Sequence, residues 1–190
     1  MGAILAALIG FRPAAAETWK DYAYPSYGFS IRFPDKPTIL NATYTTFDGT
    51  SYPARLYRVE RDNTEYKVTI ADFSREAWTE QGVLVQAILT LAKSGVVKVD
   101  IPHRVRRVFS RQLSIANFDG GHSSIAVFYY RKRLYQIQGT VLASNPDPAS
   151  AEATRFQQSL QFPRRDPGQS DVDPLFATPS ANRPSPPFLR

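Results

Sequence analysis

Apolar and polar residues alternate along most of this chain, and the places where the alternation changes mark its elements. The pattern is densest from Ile125 to Phe162. Ile125-Ala-Val-Phe-Tyr-Tyr130 is continuously apolar, Arg131-Lys132-Arg133 interrupts it, and Leu134 to Ala143 resumes. In the second run Tyr135, Ile137, Gly139 and Val141 share one parity, while Gln136, Gln138 and Thr140 share the other. Two such runs across a short polar break predict a β-hairpin. After Asn145-Pro-Asp-Pro148, the residues Ala149, Ala153, Phe156 and Leu160 recur at helical spacing. Asp147 is the expected N-cap of that helix and Pro148 its first residue. The hairpin and its covering helix are the unit around which the chain is expected to be built.

Upstream, Glu17 to Ser26 is a lead-in carrying Trp19, Tyr22 and Tyr24. Tyr27, Phe29, Ile31 and Phe33 alternate with Gly28, Ser30 and Arg32, predicting a half-buried strand ended by Pro34-Asp-Lys-Pro37. Thr38–Phe47, Tyr52–Glu60 and Glu65–Phe73 read as further strands, turned at Asp48-Gly49 and across Arg61-Asp-Asn-Thr64. Pro53, near the start of its strand, fits an edge or first position. Leu84, Ala87, Ile88 and Leu91 form an apolar stripe, predicting a helix within Glu76–Ser94 with Gly95 as its C-terminal cap. Val96–Ile101 is β-branched and is expected to stop at Pro102. Val105–Phe118 holds one or two strands, and Asp119-Gly120-Gly121 turns the chain into the hairpin.

This order of strands, helix, strands, helix implies an α/β protein with a mainly antiparallel sheet. The run Ile125–Tyr130 is apolar on both parities, so both of its faces should be covered. With one long helix available for each face, the expectation is a three-layer α/β/α sandwich. From Pro163 the periodicity ends and seven of the fifteen prolines crowd into the last 28 residues, which reads as a disordered tail over 163–190.

Composition sharpens the picture in three places. Cysteine is absent, which excludes disulfides, thiol catalysis and thiolate metal sites. The only histidines are His103 and His122, so no multi-histidine metal site and no cofactor are expected. Ala3–Phe11 is a short apolar run followed by Arg12-Pro13 and Ala14-Ala15-Ala16, the pattern of a secretory signal peptide over residues 1–16. Cleavage after Ala16 would leave Glu17 first. The run falls short of the ~20 apolar residues that span a bilayer. A periplasmic or secreted bacterial protein is therefore expected, with the domain proper in 17–162 and no transmembrane segment in the mature chain. Such a protein would not meet nucleic acid, so its net charge of +6 needs another explanation.

Tyr27-Gly-Phe-Ser-Ile-Arg-Phe-Pro34 with Pro37 resembles the opening strand of PsbP-like proteins. Arg133-Leu-Tyr135 resembles their Arg-Leu-Tyr strand, and Arg155-Phe156 to Phe162 resembles their closing helix end. The resemblance runs from about Tyr22 to Phe162. Its motifs are core and turn residues, so it speaks to fold. The group includes the extrinsic PsbP protein of photosystem II, a Ran-binding import factor and many exported bacterial proteins, and the resemblance brings no catalytic residues with it. The chain departs from the expected pattern at Arg131-Lys132-Arg133, where a hairpin turn would favour Gly or Asn.

The most notable polar feature is basic. Arg104, Arg106, Arg107 and Arg111 follow His103, and Arg131, Lys132 and Arg133 interrupt the hairpin. If Val105–Phe118 pairs with Ile125–Tyr130 around Asp119-Gly120, residues near 107–109 lie opposite residues near 131. Guanidinium groups suit recognition of phosphate or carboxylate. One reading is a docking patch for an anionic surface or an envelope protein. The plainer one is a charged sheet edge that discourages strand pairing. The alternative function is an envelope hydrolase or small-ligand-processing enzyme using His122 and Asp119, the histidine beside the carboxylate serving as general base. It lacks a Gly-x-Ser-x-Gly motif, and Asp119 is explained by its turn alone. A third possibility is a small-ligand carrier, which would show a deep apolar cavity. The expected function is a non-enzymatic exported binding or accessory module.

Overall fold

The computed structural model describes residues 19–75 and 77–163. The expected signal peptide and all of the expected tail except Pro163 lie outside that range. The alternating segments form seven strands of one sheet: β3 (Thr38–Thr45), β4 (Ser51–Arg61), β5 (Thr64–Asp72), β6 (Gly95–Val105), β7 (Val108–Asn117), β8 (His122–Tyr130) and β9 (Arg133–Val141). Their order is β3-β4-β5-β9-β8-β7-β6, and every neighbouring pair is antiparallel. Two meanders are thus joined through β5 and β9. The helix α1 (Glu80–Ala92) carries the chain from β5 to the far edge.

Register assigns the faces. Val68 lies opposite Ile137, which lies opposite Ala126, and all three belong to one core cluster. Ala71 lies opposite Leu134, which lies opposite Tyr129, and these belong to the other cluster. On the first face Phe29, Ile31 and Phe33 of β2 (Phe29–Phe33) pack with Phe156, Leu160 and Phe162. β2 pairs with β1 (Lys20–Tyr24) as a separate ribbon. Reciprocal backbone hydrogen bonds between Ser30 and Gln161, 2.9 and 2.8 Å, tie that ribbon to the segment that follows α2 (Glu152–Gln157). On the second face Val83, Leu84, Ala87 and Leu91 of α1 cover Ile125, Val127 and Leu134. Each buried phenylalanine or leucine contributes roughly 1.5–3 kcal/mol, so the clusters on the two faces hold the layers together.

Several expectations are corrected. The second long helix is absent: α2 has 6 residues against 13 in α1, and most of its layer is the β1–β2 ribbon, itself unforeseen. Asp147 does not cap a helix. Its carbonyl accepts the Ser150 N–H and its carboxylate the Ala149 N–H, which closes a turn and delays the helix to Glu152. The stripe still works, because Ala153, Phe156 and Leu160 are buried. The first helix does fall within 76–94, and it is capped by Thr79, whose side chain accepts the Gly82 N–H at 3.1 Å. Gly95 is no helix cap but the first residue of β6, where a Cβ would sit 2.2 Å from the Ala116 carbonyl oxygen. Pro102 does not stop its strand, since β6 is an edge and an edge strand has one side without ladder bonds.

Candidate functional site

Three tight two-residue turns join hairpins in the large sheet. Asp62-Asn63 joins β4 to β5, with φ of 50° and 53°. Arg131-Lys132 joins β8 to β9, with φ of 49° and 60°. Arg106-Arg107 joins β6 to β7, with Arg106 at φ 56°. Left-handed backbone suits Asn and Asp and costs bulkier residues about 1 kcal/mol or more. The first turn obeys that chemistry and the other two do not.

The two basic turns sit at the same end of the sheet. Ser110 lies opposite Phe128 and Arg111 opposite Val127, so continuing the ladder brings Arg107 level with Arg131. The tips belong to adjacent hairpins and stand roughly 10 Å apart, two strand spacings. Arg106, Arg107, Arg131 and Lys132 are all exposed. Arg104 is exposed on β6, opposite Phe109. Arg131 lies 5.3 Å from the Tyr130 ring, a stacking that holds the guanidinium at the rim.

Two sequence-predicted residues are drawn away from this group. Arg111 is held by Asp100 in a two-pronged pair, Nε to Oδ1 at 2.8 Å and Nη2 to Oδ2 at 2.7 Å, which neutralises it. Arg133 is only 9% exposed and faces inward, its guanidinium 5.6 Å from the Tyr27 ring. Arg55 donates through Nε to the Tyr27 hydroxyl at 3.1 Å, so two arginines flank that tyrosine. This cluster escaped sequence reading because its three members lie on separate elements, far apart in the chain. Burial pushes the Tyr135 phenol up to about 12, with Arg133 partly opposing the shift. The Tyr135 hydroxyl donates to the Tyr27 carbonyl at 2.7 Å.

Several other arginines are paired. Arg32 meets Asp21 at 3.0 Å, Arg58 meets Glu60 at 3.1 Å and Glu65 at 2.6 Å, and Arg155 meets Glu152 at 3.4 Å. Among the described residues no carboxylate pairs with Arg104, Arg106, Arg107, Arg131 or Lys132. At this end of the sheet exposed arginine charge without a carboxylate partner among the described residues coincides with backbone turns poorly suited to basic residues.

His122 and Asp119 take separate partners. His122 Nε2 lies 3.1 Å from Ser114 Oγ on β7, while the Asp119 carboxylate accepts the Gly121 N–H of its own turn at 2.9 Å. An open cleft of about 630 Å³ is lined by Thr50, Tyr52, Ala77, Trp78, Thr79 and Gly82, with Trp78 Nε1 donating to the Tyr52 hydroxyl at 2.9 Å. It contains neither His122 nor Asp119. Among the described residues no group of three or more acidic or histidine side chains could hold a metal ion. No described helix is long and apolar enough to cross a membrane.

A seven-stranded antiparallel sheet, with a two-stranded ribbon and short helix on one face and a longer helix on the other, gives this chain a PsbP-like fold. The solution structure of cyanobacterial PsbP (CyanoP) from Synechocystis sp. PCC 6803 is similar, with a TM-score of 0.53 over 82% of this chain and 99% of that one. Sequence identity is 11%, so the likeness is one of fold. No family model matches the sequence, and neither does any curated protein.

Proposed function

We propose that this protein is a non-enzymatic binding module, exported to the periplasm or beyond, that docks onto an anionic surface through the basic end of its sheet. The observation that carries this reading is the pair of neighbouring turns Arg106-Arg107 and Arg131-Lys132, exposed and without a carboxylate partner among the described residues, with Arg106, Arg131 and Lys132 in left-handed backbone that favours Asn or Gly. Residues that work against local stability and serve no ion pair need another role. Convex tips carrying long cationic side chains suit an extended surface of phosphates or carboxylates better than an enclosed small ligand. Arg104 would extend the contact along β6, and Arg133 would support the turn from within. The export half of the reading rests on the apolar segment and Ala14-Ala15-Ala16.

The test is binding of the full chain to vesicles containing an anionic lipid, at low and physiological salt. Replacing Arg106, Arg107 and Arg131 by Ala should weaken binding about tenfold or more while leaving the melting temperature within a few degrees, because exposed charges contribute little to stability. Binding by the parent should fall as salt rises, since exposed charges are screened over about 8–10 Å. Equal binding by both proteins would defeat the proposal. Binding to an acidic envelope protein but not to vesicles would redirect it to that partner.

A further inference from the structure

The two edges of the large sheet are built differently. At one edge β6 carries a bulge between Val97 and Val99, a proline at Pro102, and the charges Lys98, Asp100 and Arg104. These are devices that discourage another strand from adding to an edge. At the other edge β3, Thr38-Ile-Leu-Asn-Ala-Thr-Tyr-Thr45, has no charge, no proline and no bulge. Its pairing with β4 runs without a break from Thr38↔Arg58 to Thr45↔Ser51. Ile39 is 47% exposed and Leu40 48%, one on each face of the sheet. Among the described residues no strand lies beyond it.

The backbone of β3 can be assigned group by group. The Thr46 N–H bonds the Thr50 carbonyl at 2.9 Å, continuing the β3–β4 ladder. Alternation then turns the N–H and C=O of Leu40, Ala42 and Tyr44 toward β4 and leaves those of Ile39, Asn41, Thr43 and Thr45 facing away from the sheet.

We infer that β3 is a self-association edge, pairing antiparallel with β3 of a second copy about a two-fold axis normal to the sheet at Ala42. An axis there sets Ala42 beside its own copy, Leu40 beside the partner's Tyr44 and Ile39 beside the partner's Thr45. The exposed aliphatic side chains gain apolar or β-branched neighbours, and no like charges meet along the strand. The outward groups of Ile39, Asn41, Thr43 and Thr45 pair with one another. The strand is thus complementary to a second copy of itself: this register pairs all four outward residues of each copy, whereas an axis at Asn41 would set Thr45 against the partner's Pro37, which has no N–H. The contact is isologous, so it closes at the dimer and leaves the guarded β6 edges outermost.

Sedimentation of the full chain across the micromolar range should show a monomer–dimer equilibrium. Thr43→Pro removes an outward N–H without touching the β4 ladder, and should weaken the dimer about tenfold or more with the circular dichroism unchanged. A second variant reads the register. Ala42→Cys places two thiols across a non-hydrogen-bonded pair with Cα atoms about 4.5 Å apart, within disulfide range. Mild oxidation should then give a covalent dimer, while Ile101→Cys on β6 should not, and the parent has no cysteine to confuse the result. A monomer at every concentration, equal crosslinking at both cysteines, or a dimer indifferent to Thr43→Pro would each overturn the inference.

Discussion

Gly139 lies under α2 where the helix backbone leaves no room for a side chain. A Cβ there would fall 2.5 Å from the Ala153 carbonyl oxygen and 2.6 Å from the Ala153 Cα. These are backbone atoms, so relief requires moving α2 off β9. Gly139→Ala is expected to cost roughly 2–4 kcal/mol, seen as a drop of about 5–15 °C in melting temperature. A change within 2 °C or so would show that α2 does not sit this close. The tyrosines make a second prediction at this scale. Burial raises the phenols of Tyr24 and Tyr135 to about 12, whereas an unfolded tyrosine ionises near 10. The folded state therefore holds these groups neutral where the unfolded chain would release a proton. Their contribution to stability is complete below about pH 10 and is lost as the pH rises through about 12. Melting temperature should be level from pH 8 to about 10 and then fall, and Tyr135→Phe should make that fall shallower. An unchanged slope in Tyr135→Phe would assign the alkaline loss to other groups.

The turns connect sequence to structure at the level of elements. Strand parity was legible because each residue from Ile125 to Phe128 is buried, alternately toward one covering layer and the other. Register was also legible, since Asp119-Gly120 fixes where β7 turns back and so places residue 107 level with 131. Less legible was anything decided by a partner distant in sequence. The β1 strand exists because Lys20–Tyr24 finds β2, not because its own pattern alternates cleanly. The inward turn of Arg133 depends on Tyr27, and the neutralisation of Arg111 depends on Asp100. Charge alone could not separate these two from the four tip residues. The tips allow a test in which stability and binding move in opposite directions. Replacing Arg131-Lys132 by Asn-Gly supplies the residues that this left-handed turn favours. The double variant should melt several degrees higher, consistent with about 1 kcal/mol gained, and should bind anionic vesicles more weakly. Higher stability with undiminished binding would mean that the turn residues are not part of the docking surface.

At the scale of the whole molecule, edge pairing and basic tips constrain each other. The Arg106-Arg107 and Arg131-Lys132 turns lie at the end of the sheet where β3 finishes, as the chain of registers from β3 through β5 and β9 to β7 requires. Antiparallel pairing of two β3 strands reverses one copy, so the two basic ends of a dimer point in opposite directions. β8 has 9 residues and spans roughly 30 Å, which sets the scale of the separation between the two sets of tips. Both cannot lie flat on one surface. A dimer that docks through its tips should therefore bridge two surfaces, whereas a monomer should bind only one. The parent chain is expected to cluster anionic vesicles, read as rising turbidity at protein concentrations where it dimerises. Thr43→Pro should bind the same vesicles in co-sedimentation without making them turbid. The Arg106, Arg107 and Arg131 triple alanine variant should do neither, although it still dimerises. If Thr43→Pro clusters vesicles as strongly as the parent, bridging arises within a single copy, and the opposed arrangement of the two basic ends is wrong.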